Sequence, residues 1–133
     1  MTTLTKISYG SIEAFQKDLK RLLKKFRTLA DDLETVKRDA IELRHIKQID
    51  NSSIFPIPNF CSNNVSINKI KKFASRSLKG RGARSGIRVI YAFHALESRV
   101  VFIEIYFKGE KENEDRERIK EYLADIARGS ASR

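Results

Sequence analysis

Apolar residues spaced alternately three and four apart predict amphipathic helix over residues 11–47. The stripe comprises Ile12, Phe15, Leu19, Leu22, Phe26, Leu29, Leu33, Val36, Ala40 and Leu43. Cations precede Thr28 and acids follow it. The helix dipole favours that arrangement if one helix ends and another begins near residues 28–32. The charge reversal therefore favours a helical hairpin, whereas the unbroken apolar phase leaves a single bent or continuous helix open.

Period-two alternation predicts the strands. Residues 4–9 predict a first strand, and runs at about 86–93 and 99–107 predict a β-hairpin. In the first run of the hairpin, one face carries Ile87, Val89, Tyr91 and Phe93. In the second, regular alternation places Val101, Ile103, Ile105 and Phe107 on one face and Val100, Phe102, Glu104 and Tyr106 on the other. Both faces of the second run are largely apolar, so we expect a central strand.

The remaining segments complete the fold prediction. Residues 48–68 predict a loop, because Pro56 and Pro58 exclude regular helix and central strand. Residues 69–109 predict a basic loop followed by sheet, and 110–128 predict a charged C-terminal helix. The prediction is a single α+β domain over 1–133, with a small antiparallel sheet packed on the N-terminal helical hairpin.

The positive charge of the chain is concentrated in one region. The chain carries 27 Lys and Arg against 17 Asp and Glu, a net charge of +10. Residues 67–99 hold nine cations and one acid, which places +8 in that region. Gly80, Gly82 and Gly86 interrupt the cations. Such a patch favours a polyanionic partner such as nucleic acid, although a general role in solubility would also produce a basic protein.

Several kinds of chemistry are excluded or disfavoured. A single cysteine, Cys61, forbids an internal disulfide, and with only His45 and His94 no zinc cluster has its usual ligands. No phosphate-binding GxxxxGK[ST] motif or dinucleotide fingerprint is present. We therefore expect no metal and no cofactor. No apolar run approaches the length of a membrane span and the N-terminus lacks a signal core, so we expect a cytoplasmic protein.

Metal-free RNA cleavage is compatible with these residues. It needs a base for the 2′-hydroxyl, cations for the transition state and an acid for the leaving oxygen. Cations are available from Lys79, Arg81, Arg84, Arg88, Lys108 and Lys111. Tyr91 and Tyr106 offer hydroxyls or stacking surfaces. Alternation puts Tyr91 on the core face, so packing is its expected role.

The order of elements and three segments resemble the RelE/ParE superfamily of small bacterial and archaeal toxins. The segments are FQKDLKRLLKKF in the first helix, SLKGRGARSGIRVIYAF, and VVFIEIYFKGEKENED at the last strand. The resemblance implies a toxin of a type II toxin–antitoxin system, neutralised by a partner antitoxin. RelE-like members are ribosome-associated endoribonucleases that cleave mRNA without metal.

The resemblance also implies site residues, carried over by position. Lys79 and Arg81 match cations ahead of the strand, Arg88 matches the strand arginine at the scissile phosphate, and Lys108 matches a basic residue after the last strand. We expect the other cations of this region to bind RNA: Lys71, Lys72, Arg76, Arg84 and Lys111.

The chain departs from the family pattern after Lys108. The C-terminal Tyr or His of many active nucleases is not evident there, and Gly109 replaces a frequent arginine. Two alternatives therefore stay open. One is a ParE-like inhibitor of DNA gyrase without nuclease activity, and the other is a basic nucleic-acid-binding protein without catalysis.

Overall fold

The computed structural model describes residues 6–49, 53–61, 64–71, 73–77 and 85–129. The described strands are β1 (Ser8–Ser11), β2 (Ile54–Pro56), β3 (Val65–Ile70), β4 (Ile87–His94) and β5 (Arg99–Phe107). They form one five-stranded sheet in the order β1-β5-β4-β3-β2. The α-helices are α1 (Glu13–Leu23), α2 (Leu29–Val36), α3 (Leu43–His45) and α4 (Arg116–Ala127). A π-helical segment (Lys37–Glu42) joins α2 to α3, and a 3₁₀ turn (Ala95–Glu97) joins β4 to β5.

The helical segment predicted over 11–47 is interrupted. α1 ends at Leu23 and α2 begins at Leu29. At the break, the Thr28 backbone N–H donates to the Ser77 hydroxyl at 3.0 Å rather than continuing the helical ladder. A hydroxyl from a distant part of the chain therefore accepts a backbone N–H that the interrupted helix leaves without a helical partner. The break excludes one continuous helix, and the hairpin arrangement stays a prediction.

The sheet is mixed, which corrects the prediction of an antiparallel sheet. β1 pairs in parallel with β5, with Ser8 opposite Arg99, while the other pairs are antiparallel. The direction of β1 depends on the route of the chain between two distant strands, which local alternation does not encode. The described strand begins at Ser8, later than the predicted range 4–9, and residues 4 and 5 lie outside the described residues.

The loop predicted over 48–68 is wrong in part, because β2 and most of β3 fall inside it. β2 contains Pro56, which pairs with Asn68. β2 is the edge of the described sheet, where proline is tolerated because only one side of the strand needs ladder hydrogen bonds. The two prolines thus excluded a central strand but not an edge strand.

Each face of the sheet has its own apolar core. The N-terminal face, which packs against α1 and α2, carries Ile54, Ile70, Ile87, Val89, Tyr91, Phe93, Val100, Phe102 and Ile105. Phe102 lies near its centre, with its ring 5.2 Å from that of Phe15 and 6.0 Å from that of Tyr9. The C-terminal face packs against Ile119 and Tyr122 of α4 and carries Ile67, Ile90, Ala92, Val101, Ile103 and Tyr106.

A β-bulge in β5 determines which residues of that strand lie on each face. Tyr91 lies opposite Phe102 and Ile90 lies opposite Glu104, so Ile103 is an extra residue without a partner on β4. The regular alternation predicted for 99–107 is therefore wrong beyond this point. Tyr106 joins Ile103 on the C-terminal face, whereas Ile105 joins Phe102 on the N-terminal face.

The C-terminal helix starts later than predicted. Asp115 is its N-cap and accepts a hydrogen bond from the Arg118 backbone N–H at 3.1 Å. Residues 110–115, which were predicted as helix, form a loop over the C-terminal face. The division of 1–133 as one domain stays a prediction.

Candidate functional site

Three strands bring polar side chains together on the C-terminal face. Arg88 on β4 lies opposite Tyr106 on β5. Its guanidinium donates to the Lys71 carbonyl just after β3, with Nη1 2.9 Å from the oxygen. In the next row, Lys69 on β3 and Glu104 on β5 flank β4. Since alternate residues of a strand share a face, Arg88, Tyr106, Lys69 and Glu104 form one polar patch.

A cleft of about 240 Å³ lies over this patch. Its lining residues are Lys69, Lys71, Arg88, Lys108, Glu112 and Asn113. Within the described ranges, no carboxylate forms an ion pair with Lys71, Arg88 or Lys108. Three such cations around one concave surface can hold a phosphate by charge-assisted hydrogen bonds.

The backbone at the start of β4 holds the cleft in shape. Gly86 has φ +85°, and the Lys108 N–H donates to its carbonyl at 2.8 Å. The positive φ favours glycine at this position, and a Cβ there would also crowd the ring of Phe107 at 3.1 Å. This contact places Lys108 beside the first residues of β4, near Arg88.

The Lys69 ammonium is paired rather than free. It donates to the Glu114 carboxylate at 2.8 Å, and Glu114 also lies 3.5 Å from Arg116. Burial is the largest single influence and would lower the pKa of Lys69, but the hydrogen bond and charge of Glu114 act together with Tyr106 and raise the pKa of Lys69 above its ordinary value. Burial likewise opposes the charge of Glu114, yet Lys69 lowers the pKa of Glu114 below its ordinary value. The pair is therefore fully ionised near neutral pH.

Glu104 anchors the loop that covers the patch. Its side chain is only 2% exposed, accepts from the Asp115 backbone N–H at 2.8 Å and pairs with the Lys111 ammonium. Lys111, predicted to bind RNA, is thus placed in an internal ion pair. The loop is fixed at its other end by Glu110, which lies 3.3 Å from Arg21.

Tyr106 lies beneath this loop, and two ammonium groups lie over its ring. Lys69 Nζ lies 5.9 Å and Lys111 Nζ 5.6 Å from the ring centroid. The hydroxyl is buried and, among the described residues, has no hydrogen-bond partner of acceptable geometry. Burial raises the pKa of Tyr106, and the nearby Lys69 ammonium opposes that rise. Tyr106 is therefore a neutral hydroxyl beside two cations.

Residues 75 and 76, which precede the predicted basic loop, are fixed by a buried carboxylate. Asp32 on α2, 3% exposed, accepts from the hydroxyls of Ser75 at 2.9 Å and Thr28 at 2.7 Å. It also accepts from the Arg76 backbone N–H at 3.3 Å and lies 3.4 Å from the Arg76 guanidinium. Arg76, predicted to bind RNA, is thus placed against α2, where Asp31 also pairs with it at 3.3 Å.

The segment that follows the basic loop is fixed as well. The Ser85 hydroxyl donates to the Phe73 carbonyl and accepts from the Ile87 backbone N–H at 3.1 Å. Four predicted site residues, Lys72, Lys79, Arg81 and Arg84, lie outside the described residues. Of the predicted residues that are described, Lys71, Arg88 and Lys108 come together in the cleft.

Sequence reasoning did not assign Lys69, Glu114 or Glu104 to the site. Lys69 shares its strand face with Lys71, but most of that strand was predicted as loop. Glu114 is 45 positions away from Lys69 in sequence, so no local pattern connects them. The charge of Glu104 within an apolar strand was a visible signal, because a buried acid needs a partner.

Both histidines are paired with tyrosines away from the cleft. His45 Nε2 lies 2.8 Å from the Tyr91 hydroxyl and its ring stacks on Phe93 at 3.9 Å. Burial lowers the pKa of His45 to about 4. His94 Nε2 lies 2.6 Å from the Tyr122 hydroxyl, and burial lowers the pKa of His94 as well. These contacts tie the elements of each face together.

The described residues contain neither a metal-binding cluster nor a membrane-spanning helix. They contain no group of three or more His, Cys, Asp or Glu side chains arranged to hold a metal ion. None of the helices in the described ranges has the length and apolar character needed to cross a membrane.

Similarity to known proteins is found among solved structures and not among family models or curated proteins. No protein-family model matches the chain, and no curated protein does. Among solved structures, the archaeal RelE–RelB complex from Pyrococcus horikoshii OT3 is similar, with a TM-score of 0.47 and 10% sequence identity. The alignment covers 79% of this chain and 98% of the other. A likeness this distant carries no argument about activity, which must come from the residues of the cleft.

Proposed function

We propose that the chain is a toxin of a type II toxin–antitoxin system that binds the mRNA backbone in the cleft and cleaves it on the ribosome without metal. The observation that carries the proposal is the convergence of Lys71, Arg88 and Lys108 from three parts of the chain on one cleft. The sequence resemblance to RelE-like toxins supports the same function. In this proposal, the cytoplasm is the site of action.

Arg88 has the central role because it is held most firmly. Its Nη1 donates to the carbonyls of Lys71 at 2.9 Å and Ile87 at 3.3 Å, which directs the guanidinium across the strands. A preorganised cation stabilises the additional negative charge on phosphate in the transition state without a cost of reorganisation. Lys71 and Lys108 hold the neighbouring phosphate oxygens. Lys79 and Arg81 are proposed to complete the catalytic set, and Lys72 and Arg84 to bind RNA.

Substitution of Arg88 tests this proposal. We expect expression of the wild type in bacteria to produce new mRNA 5′ ends within translated frames, and Arg88→Ala to abolish them. The matched control is Arg38→Ala, which removes an arginine on the π-helical segment whose one ion pair among the described residues is with its neighbour Asp39 at 3.4 Å. Arg88→Ala is expected to change the free energy of unfolding by less than about 1 kcal/mol, because only backbone hydrogen bonds at a partly exposed site are lost. Unchanged cleavage by a folded Arg88→Ala protein would remove Arg88 from the site.

One observation favours a toxin that does not cleave RNA. Tyr122, the single tyrosine that follows Lys108 in the sequence, is buried and paired with His94 rather than exposed in the cleft. A ParE-like gyrase inhibitor would use the basic surface without needing a catalytic acid. It predicts growth arrest and inhibited DNA supercoiling with intact mRNA. Neither arrest nor cleavage, with salt-sensitive RNA binding, would indicate a non-catalytic binding protein.

An antitoxin partner is part of the proposal. A groove of about 260 Å³ between β1, α1 and α2 contains Phe15, Leu19, Ala30, Leu33 and Phe102 and could accept an apolar segment. The basic cleft is the other candidate surface for the antitoxin. Co-expression with the gene beside it should yield a stable complex that suppresses toxicity. Toxicity unaffected by any adjacent small gene would argue against this part.

A further inference from the structure

We propose that Lys69 and Tyr106 form a second, internal phosphate subsite, which Glu114 occupies in the absence of ligand. The inference rests on the proposed function, since it extends the same cleft inward. The ligand is a phosphate group, either in a polynucleotide or as the free anion.

The Tyr106 hydroxyl is the first observation. The Tyr106 side chain is 2% exposed, and among the described residues its hydroxyl makes no hydrogen bond of normal length and angle. The nearby Lys69 ammonium can only donate to the hydroxyl oxygen, so the O–H group itself has no acceptor. A buried polar group without a partner is destabilising, and phenylalanine would fill the same space without this cost. An unused donor beside a basic cleft indicates a ligand that accepts its hydrogen bond.

The ion pair between Lys69 and Glu114 is the second observation. The Glu114 side chain is 6% exposed, and its carboxylate receives the Lys69 ammonium at 2.8 Å. Lys69 also lies over the ring of Tyr106. An anion therefore already lies next to one of the two ammonium groups over the Tyr106 ring. A phosphate offers the same kind of oxygen acceptors with more of them, so it can replace the carboxylate on Lys69 and also accept from Tyr106.

The internal subsite is continuous with the outer cleft. Lys69 lines the cleft together with Arg88, and Arg88 is the cross-strand neighbour of Tyr106. Directly opposite residues of paired strands have Cβ atoms about 5 Å apart. One polyanion can therefore contact Arg88 in the outer cleft and Tyr106 in the internal subsite at the same time.

Displacement of Glu114 requires only a local change. The loop stays anchored at Glu110 by Arg21 and at Asp115 by Glu104. Arg116 already lies 3.5 Å from Glu114 and can keep the displaced carboxylate paired at the surface. The change thus removes one partner of Glu114, keeps the other and leaves the fold of the loop intact.

The test compares two acids of the same loop. Glu114→Gln removes the charge that occupies the subsite, whereas Glu112→Gln removes an equal charge from the rim of the cleft, where no ion pair is described. The probes are inorganic phosphate, followed by NMR of tyrosine labelled at the ring carbon that bears the hydroxyl, and a fluorescent single-stranded RNA of about ten nucleotides, followed by anisotropy.

We expect Glu114→Gln to bind phosphate about tenfold more tightly than wild type, which corresponds to about 1.4 kcal/mol. The Tyr106 resonance should move during the titration. Glu112→Gln should gain much less, and adding Tyr106→Phe to Glu114→Gln should remove the gain. Equal gains in Glu112→Gln and Glu114→Gln would show a general effect of charge and overturn the subsite. So would a gain that survives Tyr106→Phe.

The two sources of phosphate are distinguished by the RNA probe. Tighter binding of both probes by Glu114→Gln assigns the subsite to polynucleotide phosphate, whereas tighter binding of inorganic phosphate alone assigns it to the free anion and overturns the polynucleotide source. Because neither measurement uses cleavage, intact mRNA in cells would discard the nuclease proposal without affecting this result. Tyr106→Phe should leave thermal stability unchanged or higher, and a marked loss of stability would assign Tyr106 a structural role instead.

Discussion

The N-terminal and C-terminal faces of the sheet are built from alternate residues of the same strands, but they are completed differently. On the N-terminal face, apolar residues continue to the end of β5, and α1 and α2 cover them. On the C-terminal face, Ile119 and Tyr122 of α4 meet an apolar patch that gives way to Arg88, Tyr106 and Lys69. The first face contributes mainly to stability, whereas the part of the second face beyond α4 holds charges that packing alone does not explain.

The largest effect should come from breaking the N-terminal face. Phe102→Ala removes a ring that packs against Tyr9, Phe15 and Tyr91, and we expect a loss of about 3–5 kcal/mol in the free energy of unfolding from the lost burial and the cavity. Urea unfolding measures it. Leu96→Ala is the control, since Leu96 is 81% exposed and should change stability by less than about 0.5 kcal/mol. Similar losses for the two variants would contradict the assignment of this core.

A smaller effect is expected where α2 meets the basic segment. Asp32→Asn leaves donors from Ser75, Thr28 and Arg76 without a charged acceptor, so we expect a loss of about 2–3 kcal/mol. Asp31→Asn, at a side chain 79% exposed, should change stability by less than about 0.5 kcal/mol.

The same pair of variants links stability to the site. Asp32→Asn should also weaken RNA binding, because Ser75 and Arg76 precede the basic loop and lose their anchor. Thermal unfolding and RNA anisotropy of both variants provide the measurement. Equal behaviour of the two variants would show that the buried carboxylate does not organise this segment.

The smallest effect on stability should appear on acidification. It comes from two histidines, one on each face of the sheet. Burial lowers the pKa of His45 to about 4 from an ordinary value near 6.5, so the unfolded chain takes up a proton that the folded chain does not. Stability attributable to His45 should therefore be intact above pH 6.5, fall as the pH decreases, and reach its full loss near pH 4. Allowing for partial exposure, the loss is about 2 kcal/mol.

His45→Gln should remove most of this pH dependence, because glutamine can bond Tyr91 without titrating. Unfolding free energies from pH 7 to 4.5 provide the measurement. His94→Gln should keep the pH dependence of stability that is due to His45. It should remove only the pH dependence due to His94, whose pKa is also lowered. A His45→Gln protein as acid-sensitive as the wild type would move the pH dependence to other groups.

Local hydrophobic patterns in the sequence correctly identified the secondary-structure elements that are specified by nearby residues. The hairpin was predicted at 86–93 and 99–107 and is confirmed as β4 and β5, because alternation and a short turn are sufficient to specify it. The apolar stripe of the N-terminal helices supplies Phe15, Leu22 and Leu33 to the core, as expected from its period.

Features that depend on pairing between distant residues could not be predicted from local sequence patterns. The parallel direction of β1 and the edge position of β2 are properties of the whole sheet. In the site, Arg88 and Lys108 were recognisable as cations at the ends of strands. The ion pair between Lys69 and Glu114 was not recognisable, because it requires the loop after β5 to fold back over β3.

The bulge at Ile103 makes the tolerance of β5 to single-codon deletions depend on position. Loss of Ile103 removes the residue that has no partner, so every other residue of the strand keeps its side of the sheet. Loss of a neighbouring codon within β5 shifts part of the strand by one position and exchanges its interior and cleft residues. A genetic deletion scan would therefore find its mildest phenotype at the most irregular position of the strand.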